Sequence, residues 1–228
     1  MHFNWTQLIP GVTHSNVHVA TALLASFVII VLSFTAKLAL GNGQKAVTPS
    51  DRLSIKGFFE LIIEFIIDVS VMVCGESGRK FAPIFASIFF FILLNNYMGV
   101  LPGMTPATDN INTTVAVGLF SFLAYNYMGF KEHGISYLKQ FLGPLLLIAP
   151  LMLVIELISH LVRPISLGLR LQGNMVGDHA VLGVFLNLVP YFVPAIFYLL
   201  GFFVCFMQAF VFTMLTMIYV SMAVSHDH

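Results

Sequence analysis

Glu156, His160, Arg163, Arg170, Asn174 and Asp178 follow one another at steps of four, three, seven, four and four residues inside an apolar stretch. If that stretch is helical, these steps keep all six on one side of it. Ser159 and Ser166 stand four residues before the two arginines, and His179 flanks the end. Glu, Asp and His gain and lose protons, and burial or neighbours move their pKa values into a working range. Asn and Ser hold water in a polar track. Arg stays protonated, which makes it a poor relay but a good fixed barrier or counter-ion for a carboxylate. A titratable path interrupted by arginine reads as two half-paths separated by a gate. The bland alternative is a buried Glu156–Arg163 ion pair, with Asn174 joining helices and His160 held structurally beside Arg163.

A thinner stripe lies further on. Tyr198, Gly201, Cys205, Gln208 and Phe212 recur at steps of three or four, and Gln208 is the strongly polar member. A glutamine there either lines the path or joins two helices. Gly201 and Gly183 permit close helix approach.

The elements that must position these stripes are membrane helices. Of 228 residues, 58% are hydrophobic and only 9% are charged, against roughly 25% charged in soluble domains. A charge at bilayer depth costs about 2.5–3.5 kcal/mol, and ionisable groups found there mark ion or proton paths. The net charge of zero gives no handle for nucleic acid. Cys74 and Cys205 lie in apolar stretches without metal-ligand spacing. Phosphate-loop, dinucleotide and zinc motifs are absent, so neither cofactor nor metal is expected, and nucleotide chemistry must take place elsewhere. The first seventeen residues carry no Lys or Arg, so no cleavable signal peptide is expected.

Five regions are expected to be embedded: 17–40, 81–101, 113–130, 144–187 and 190–224, after an outer tail at 1–16. The last two exceed one perpendicular span, because about 40 residues of helix reach roughly 60 Å against a hydrocarbon core of about 30 Å. They must tilt, break or run along the interface, with Pro150 and Pro164 as candidate kinks. Region 50–76 differs. Arg52, Lys56, Glu60, Glu64 and Asp68 recur every four residues, forming one polar face on an otherwise apolar helix. That helix either lies in the interface or crosses with an acidic stripe.

Lys37, Lys45, Arg52, Lys56, Arg79 and Lys80 gather from the end of the first span to the start of the second, and Lys131 and Lys139 between the third and fourth. All eight share one side only if 50–76 does not cross, as the positive-inside rule asks. The expected architecture is therefore one all-α polytopic membrane domain with five embedded helices, the last two long and tilted, plus one amphipathic interfacial helix. The N-terminus lies outside and the C-terminus in the cytoplasm.

The stretch Ser166-Leu-Gly-Leu-Arg170-Leu-Gln-Gly-Asn174-Met resembles the signature of subunit a of the F-type ATP synthase membrane sector, in a bacterial form. The segment from Gln208-Ala-Phe to Tyr219-Val-Ser-Met-Ala is similar to the same family, as are Met98-Gly-Val-Leu-Pro-Gly and Pro106-Ala-Thr-Asp-Asn-Ile-Asn-Thr-Thr114. The resemblance covers nearly all of the chain after residue 80. It implies a stator subunit, not an enzyme by itself, in a bacterial inner membrane, or a mitochondrial inner membrane as the alternative. Its implied partners are a c-subunit ring, the peripheral-stalk b subunits and the rest of the synthase. Protons would reach and leave a carboxylate on each ring subunit through two offset half-channels. The family's essential arginine matches Arg170. Half-channel positions match Asn174, His179 and Gln208 toward the outside, and Glu156 and Ser166 toward the inside. The last two segments would form a tilted hairpin against the ring. One departure stands out: many relatives place one member of an acid–histidine pair at the position of Gly201, whereas here Asp178 supplies a carboxylate beside His179.

Two other classes compete. A self-contained ion-coupled transporter or channel would be expected to show paired halves with interrupted helices, and none is visible. An inert membrane scaffold would need only the ion pair.

Overall fold

The computed structural model describes residues 5–8, 10–13, 15–40, 55–101, 103–134, 137, 149–188 and 193–224. Among the described residues there are six α-helices: α1 (Val17–Leu40), α2 (Ile55–Cys74), α3 (Gly78–Val100), α4 (Ile111–His133), α5 (Ala149–Leu188) and α6 (Val193–Val224). Short 3-10 turns lie at Trp5–Leu8, Gly75–Ser77 and Ala107–Asp109. Among the described residues there is no strand. Among the described residues, four stretches are long and apolar enough to cross a membrane: Val17–Leu38, Glu60–Val100, Leu151–Leu188 and Val193–Val224. α4 is not among them, although 113–130 is expected to be embedded; Asn112, Thr113, Thr114, Ser121 and Asn126 dilute its apolar content.

The ends of the helices sort into two groups. The backbone N–H of Trp5 donates to the Gly103 carbonyl at 3.0 Å, so the N-terminal turn meets the loop after α3. At the opposite end, His133 Nε2 lies 3.2 Å from the Val224 carbonyl oxygen. The Ser221 hydroxyl donates to the Val73 carbonyl at 2.9 Å, near the turn that carries Arg79 and Lys80. Arg79, Lys80 and Lys131 therefore share the end opposite the N-terminal turn. Lys45, Arg52, Lys139 and the tail 225–228 lie outside the described residues.

Gly75 turns α2 into α3 with φ +64°, a conformation glycine adopts without strain. α2 then runs back along the bundle, with Ile66 and Ser70 buried and Glu64 and Asp68 exposed. Phe65 packs on Phe210 at 5.8 Å between ring centroids, and Cys74 Sγ approaches the Met217 carbonyl at 3.3 Å. The contacts from Phe65 to Val73 carry α2 about 12 Å along α6, at 1.5 Å per residue. Sequence amphipathicity identifies the apolar face of region 50–76; the fold gives part of that face to protein.

Phe85, Phe89, Ile92, Leu171, Ala209 and Phe212 form the centre of the core. Lipid tails are as apolar as these side chains, so hydrogen bonds and close packing, rather than water exclusion, hold embedded helices together. Polar joints recur between helices. Ser121 and Thr216 hydroxyls meet at 2.8 Å across α4 and α6. Asn96 Nδ2 donates to the Cys205 carbonyl, and the Thr108 hydroxyl donates to Asn96 Oδ1 at 2.8 Å. Each such bond is worth on average about 0.6 kcal/mol. A Cβ on Gly118 would run into the Pro164 carbonyl, so glycine lets α4 press against α5 at the middle of the polar stripe.

Candidate functional site

α5 runs unbroken for 40 residues through Pro164, and α6 for 32. Pro150 falls in the first turn of α5, where a missing N–H costs nothing. The two helices lie antiparallel. Phe185 stacks on Phe197 at 4.4 Å, Asp178 faces Gly201, Asn174 bonds Gln208, and the Arg163 guanidinium lies 5.3 Å from the centre of the Tyr219 ring. Progress along α5 is matched by retreat along α6. The stripe foreseen on one helix thus becomes a seam, with α6 supplying the facing wall.

Arg170 sits near the middle of α5, between the Arg163–Tyr219 and Asn174–Gln208 pairings. Its side chain is exposed, and it makes no hydrogen bond or ion pair with the described residues. Ser166 and Asn174 are exposed on neighbouring turns. Gly173 and Gly177 leave open space where a side chain would otherwise stand. Leu169, Val176 and Ile165 frame this shallow polar strip with exposed apolar surface.

Toward the N-terminal-turn end, Asn174 Nδ2 donates to Gln208 Oε1 at 2.5 Å, joining α5 to α6. Gln208 is buried, and its own Nε2 has no partner among the described residues. A buried donor left over in this way is the kind of group an internal water satisfies. One turn on, Asp178 fills the space over Gly201: a Cβ there would stand 2.6 Å from Asp178 Oδ2. His179 turns elsewhere. Its Nδ1 lies 4.0 Å from Asp109 Oδ2, and its Nε2 would be 3.0 Å from a Cβ on Gly99. Adjacent helical residues point about 100° apart, so the two sequence neighbours face different elements.

Toward the other end, Glu156 accepts from Arg163 Nη2 at 3.3 Å, with the two side chains 41% and 20% exposed. His160 is buried, with Nε2 2.9 Å from Asn126 Oδ1 and Tyr125 Oη 3.5 Å from either ring nitrogen. All of the candidate positions lie on the α5–α6 hairpin. Asp109, Asn126, Tyr125, Tyr137 and Tyr219 join them from other elements or from the facing helix, and sequence spacing singles out none of these. Asp109 lies within a family-like segment, which is the one signal that could have found it.

Arg163 already has a carboxylate and an aromatic face, whereas Arg170 has neither among the described residues. A part-exposed pair contributes about 1 kcal/mol or less, and a cation over a ring about 0.5–1 kcal/mol at an exposed site. Arg163→Ala is therefore expected to lower thermal stability slightly and to keep most coupled proton pumping. A loss equal to that of Arg170→Ala would overturn this ranking.

Among the described residues, no group of three or more His, Cys, Asp or Glu side chains is placed to hold a metal ion. The seam carries titratable side chains on both sides of Arg170.

Comparison with known proteins agrees with the resemblance in the sequence. The family model "ATP synthase A chain" matches residues 23–221. ATP synthase subunit a of Bdellovibrio bacteriovorus is 55% identical over the full length of both chains. The subunits a of Trichlorobacter lovleyi and Geotalea daltonii are each 42% identical, over 92% of this chain and 89% and 90% of theirs. The chain belongs to the ATP synthase A chain family, the non-catalytic membrane-sector subunits of the ATP synthase complex.

Proposed function

We propose that this chain is the stator subunit that carries protons to and from a rotating c-subunit ring, in the membrane of a bacterium. The observation that carries this reading is Arg170: an exposed cation, mid-helix, framed by apolar surface and without a carboxylate among the described residues. Such a charge is too costly to leave facing lipid. A carboxylate brought by a partner would meet it. The low strip of Ser166, Gly173, Asn174 and Gly177 leaves room for that partner's helix.

In this reading, Asn174, Gln208, Asp178 and His179 belong to the outer half-path, and Glu156, His160 and Ser166 to the inner one. Arg170 separates them. It favours the ionised ring carboxylate while blocking direct passage of a proton. The long hairpin leans against the ring, and the peripheral-stalk b subunits hold the chain still. A self-contained transporter is disfavoured because Arg170 is exposed and meets no acid among the described residues. Affinity isolation in mild detergent tests the assignment: a ring of small, very hydrophobic subunits should accompany the chain. Isolation of an active transporter as this polypeptide alone would refute it.

The same reading treats residues 1–228 as one membrane domain, with α1, α3, α4, α5 and α6 embedded and α2 as the amphipathic helix that does not cross. Cysteines at Lys56 and Glu64 are expected to react with a membrane-impermeant reagent added from the cytoplasmic side. Reaction of either from outside would place α2 across the bilayer and split the basic residues between both faces.

A further inference from the structure

Asn126, on α4, has no place in the paths described above. Its Nδ2 donates to the Phe122 carbonyl one turn back, at 2.8 Å. That bond settles which way the amide faces, leaving Oδ1 as the acceptor directed at its other neighbours. Two groups converge on it: Tyr137 Oη at 3.2 Å and His160 Nε2 at 2.9 Å. An amide oxygen accepts and cannot donate, so Nε2 must carry a hydrogen. In the neutral ring, Nδ1 then holds the lone pair. Tyr125 Oη is 3.5 Å from both nitrogens and does not select between them.

His160 also lines a cavity of about 20 Å³, together with Tyr125, Tyr137, Glu156, Arg163 and Tyr219. One water needs about 10–15 Å³ and two to four polar partners, and this cavity offers both. Among the described residues, the charged and titratable groups that line this cavity with His160 are Glu156 and Arg163 from α5, Tyr125 from α4, Tyr137 after it and Tyr219 from α6.

We infer that Asn126 is a positioning residue that holds His160 with its hydrogen on Nε2, so that Nδ1 takes up and releases the travelling proton at the inner end of the path. Uptake forms one N–H bond on Nδ1 from a hydronium or a protonated carboxyl in the cavity and leaves an imidazolium. Release breaks that same bond and returns the proton to water, while the hydrogen on Nε2 stays there, donated to Asn126 Oδ1. This inference rests on the proton-path reading of the chain.

The test uses the complete synthase in liposomes with ¹⁵N-labelled histidine, the His160 signals being those missing from His160→Gln. Wild type should show a protonated Nε2 and an unprotonated Nδ1. Asn126→Leu should show both tautomers, and Asn126→Asp, which keeps the acceptor, should restore the Nε2–H form. ATP-driven proton pumping should fall about 100-fold in His160→Leu, the low end for a positioned proton-transfer group. It should fall about tenfold in Asn126→Leu, as for other partners that orient a histidine, and recover in part in Asn126→Asp. A wild-type spectrum with the hydrogen on Nδ1 overturns the inference, even if Asn126→Leu does not assemble. So does full pumping in His160→Leu. Normal coupling in Arg170→Ala membranes would instead sink the path itself, so the two failures are distinguishable.

Discussion

Arg170→Ala should abolish ATP synthesis driven by a proton gradient, and ATP-driven pumping with it. The side chain is exposed at mid-helix and meets no acid among the described residues, so its expected counter-charge comes from outside the chain. Two unit charges about 4 Å apart at an effective dielectric near 20 interact by about 4 kcal/mol. Removing one shifts the ionisation balance of the other by on the order of 10³-fold. Arg170→Lys keeps a charge but loses the planar fork and holds its proton less firmly, so it should recover little. Assembly should survive both changes, because Arg170 holds no other described residue in place. The check is coupled ATP synthesis in membrane vesicles normalised to the amount of assembled complex. Coupling within twofold of wild type, roughly 0.4 kcal/mol, would be incompatible with a gate.

The second large effect is expected at Asp178. Its carboxylate occupies the space above Gly201, and a Cβ on Gly201 would approach Oδ2 to 2.6 Å. Gly201→His alone should therefore be crowded and lose activity. Asp178→Gly alone should lose the outer carboxylate and with it a positioned proton carrier, a group worth about 10²-fold or more. Combining the two changes removes the crowding and puts a titratable group back on the facing helix, so part of the pumping should return. The same holds for Asp178→Gly with Gly201→Glu. Pumping in inverted membranes compares the four variants. Full activity in Asp178→Gly, or no recovery in either double variant, would count against this placement of the outer pair.

His179 qualifies that pair. His179 Nδ1 also lies 4.0 Å from Asp109 Oδ2, so a second acid, on another element, stands beside the proposed outer path. The helical period alone predicts that adjacent residues diverge. What the sequence could not supply is the partner 70 positions earlier.

Elsewhere the same division holds. The steps between Glu156 and Asp178 identify one face of one helix, and α5 is helical through Pro164 as that spacing requires. Gln208 was legible as a lone polar group in an apolar run. That its partner is Asn174 depends on the register of the hairpin, which no local period encodes. Arg163 and Arg170 look alike in sequence, and the difference between them is tertiary: Tyr219 and Glu156 surround the first. Region 50–76 shows the limit from the other side. A stripe of charge every fourth residue states that the remaining face is apolar, yet lipid and protein are equally good covers for it, and Phe210 and Met217 take part of that face.

Passive proton flux through the membrane sector, with the catalytic head stripped away, tests the central claim most directly. If Arg170 separates two half-paths, vesicles carrying Arg170→Ala should lose an imposed proton gradient faster than stripped wild-type vesicles, with no rotation required. Flux equal to that of wild type, at equal amounts of assembled ring and stator, would contradict the gate.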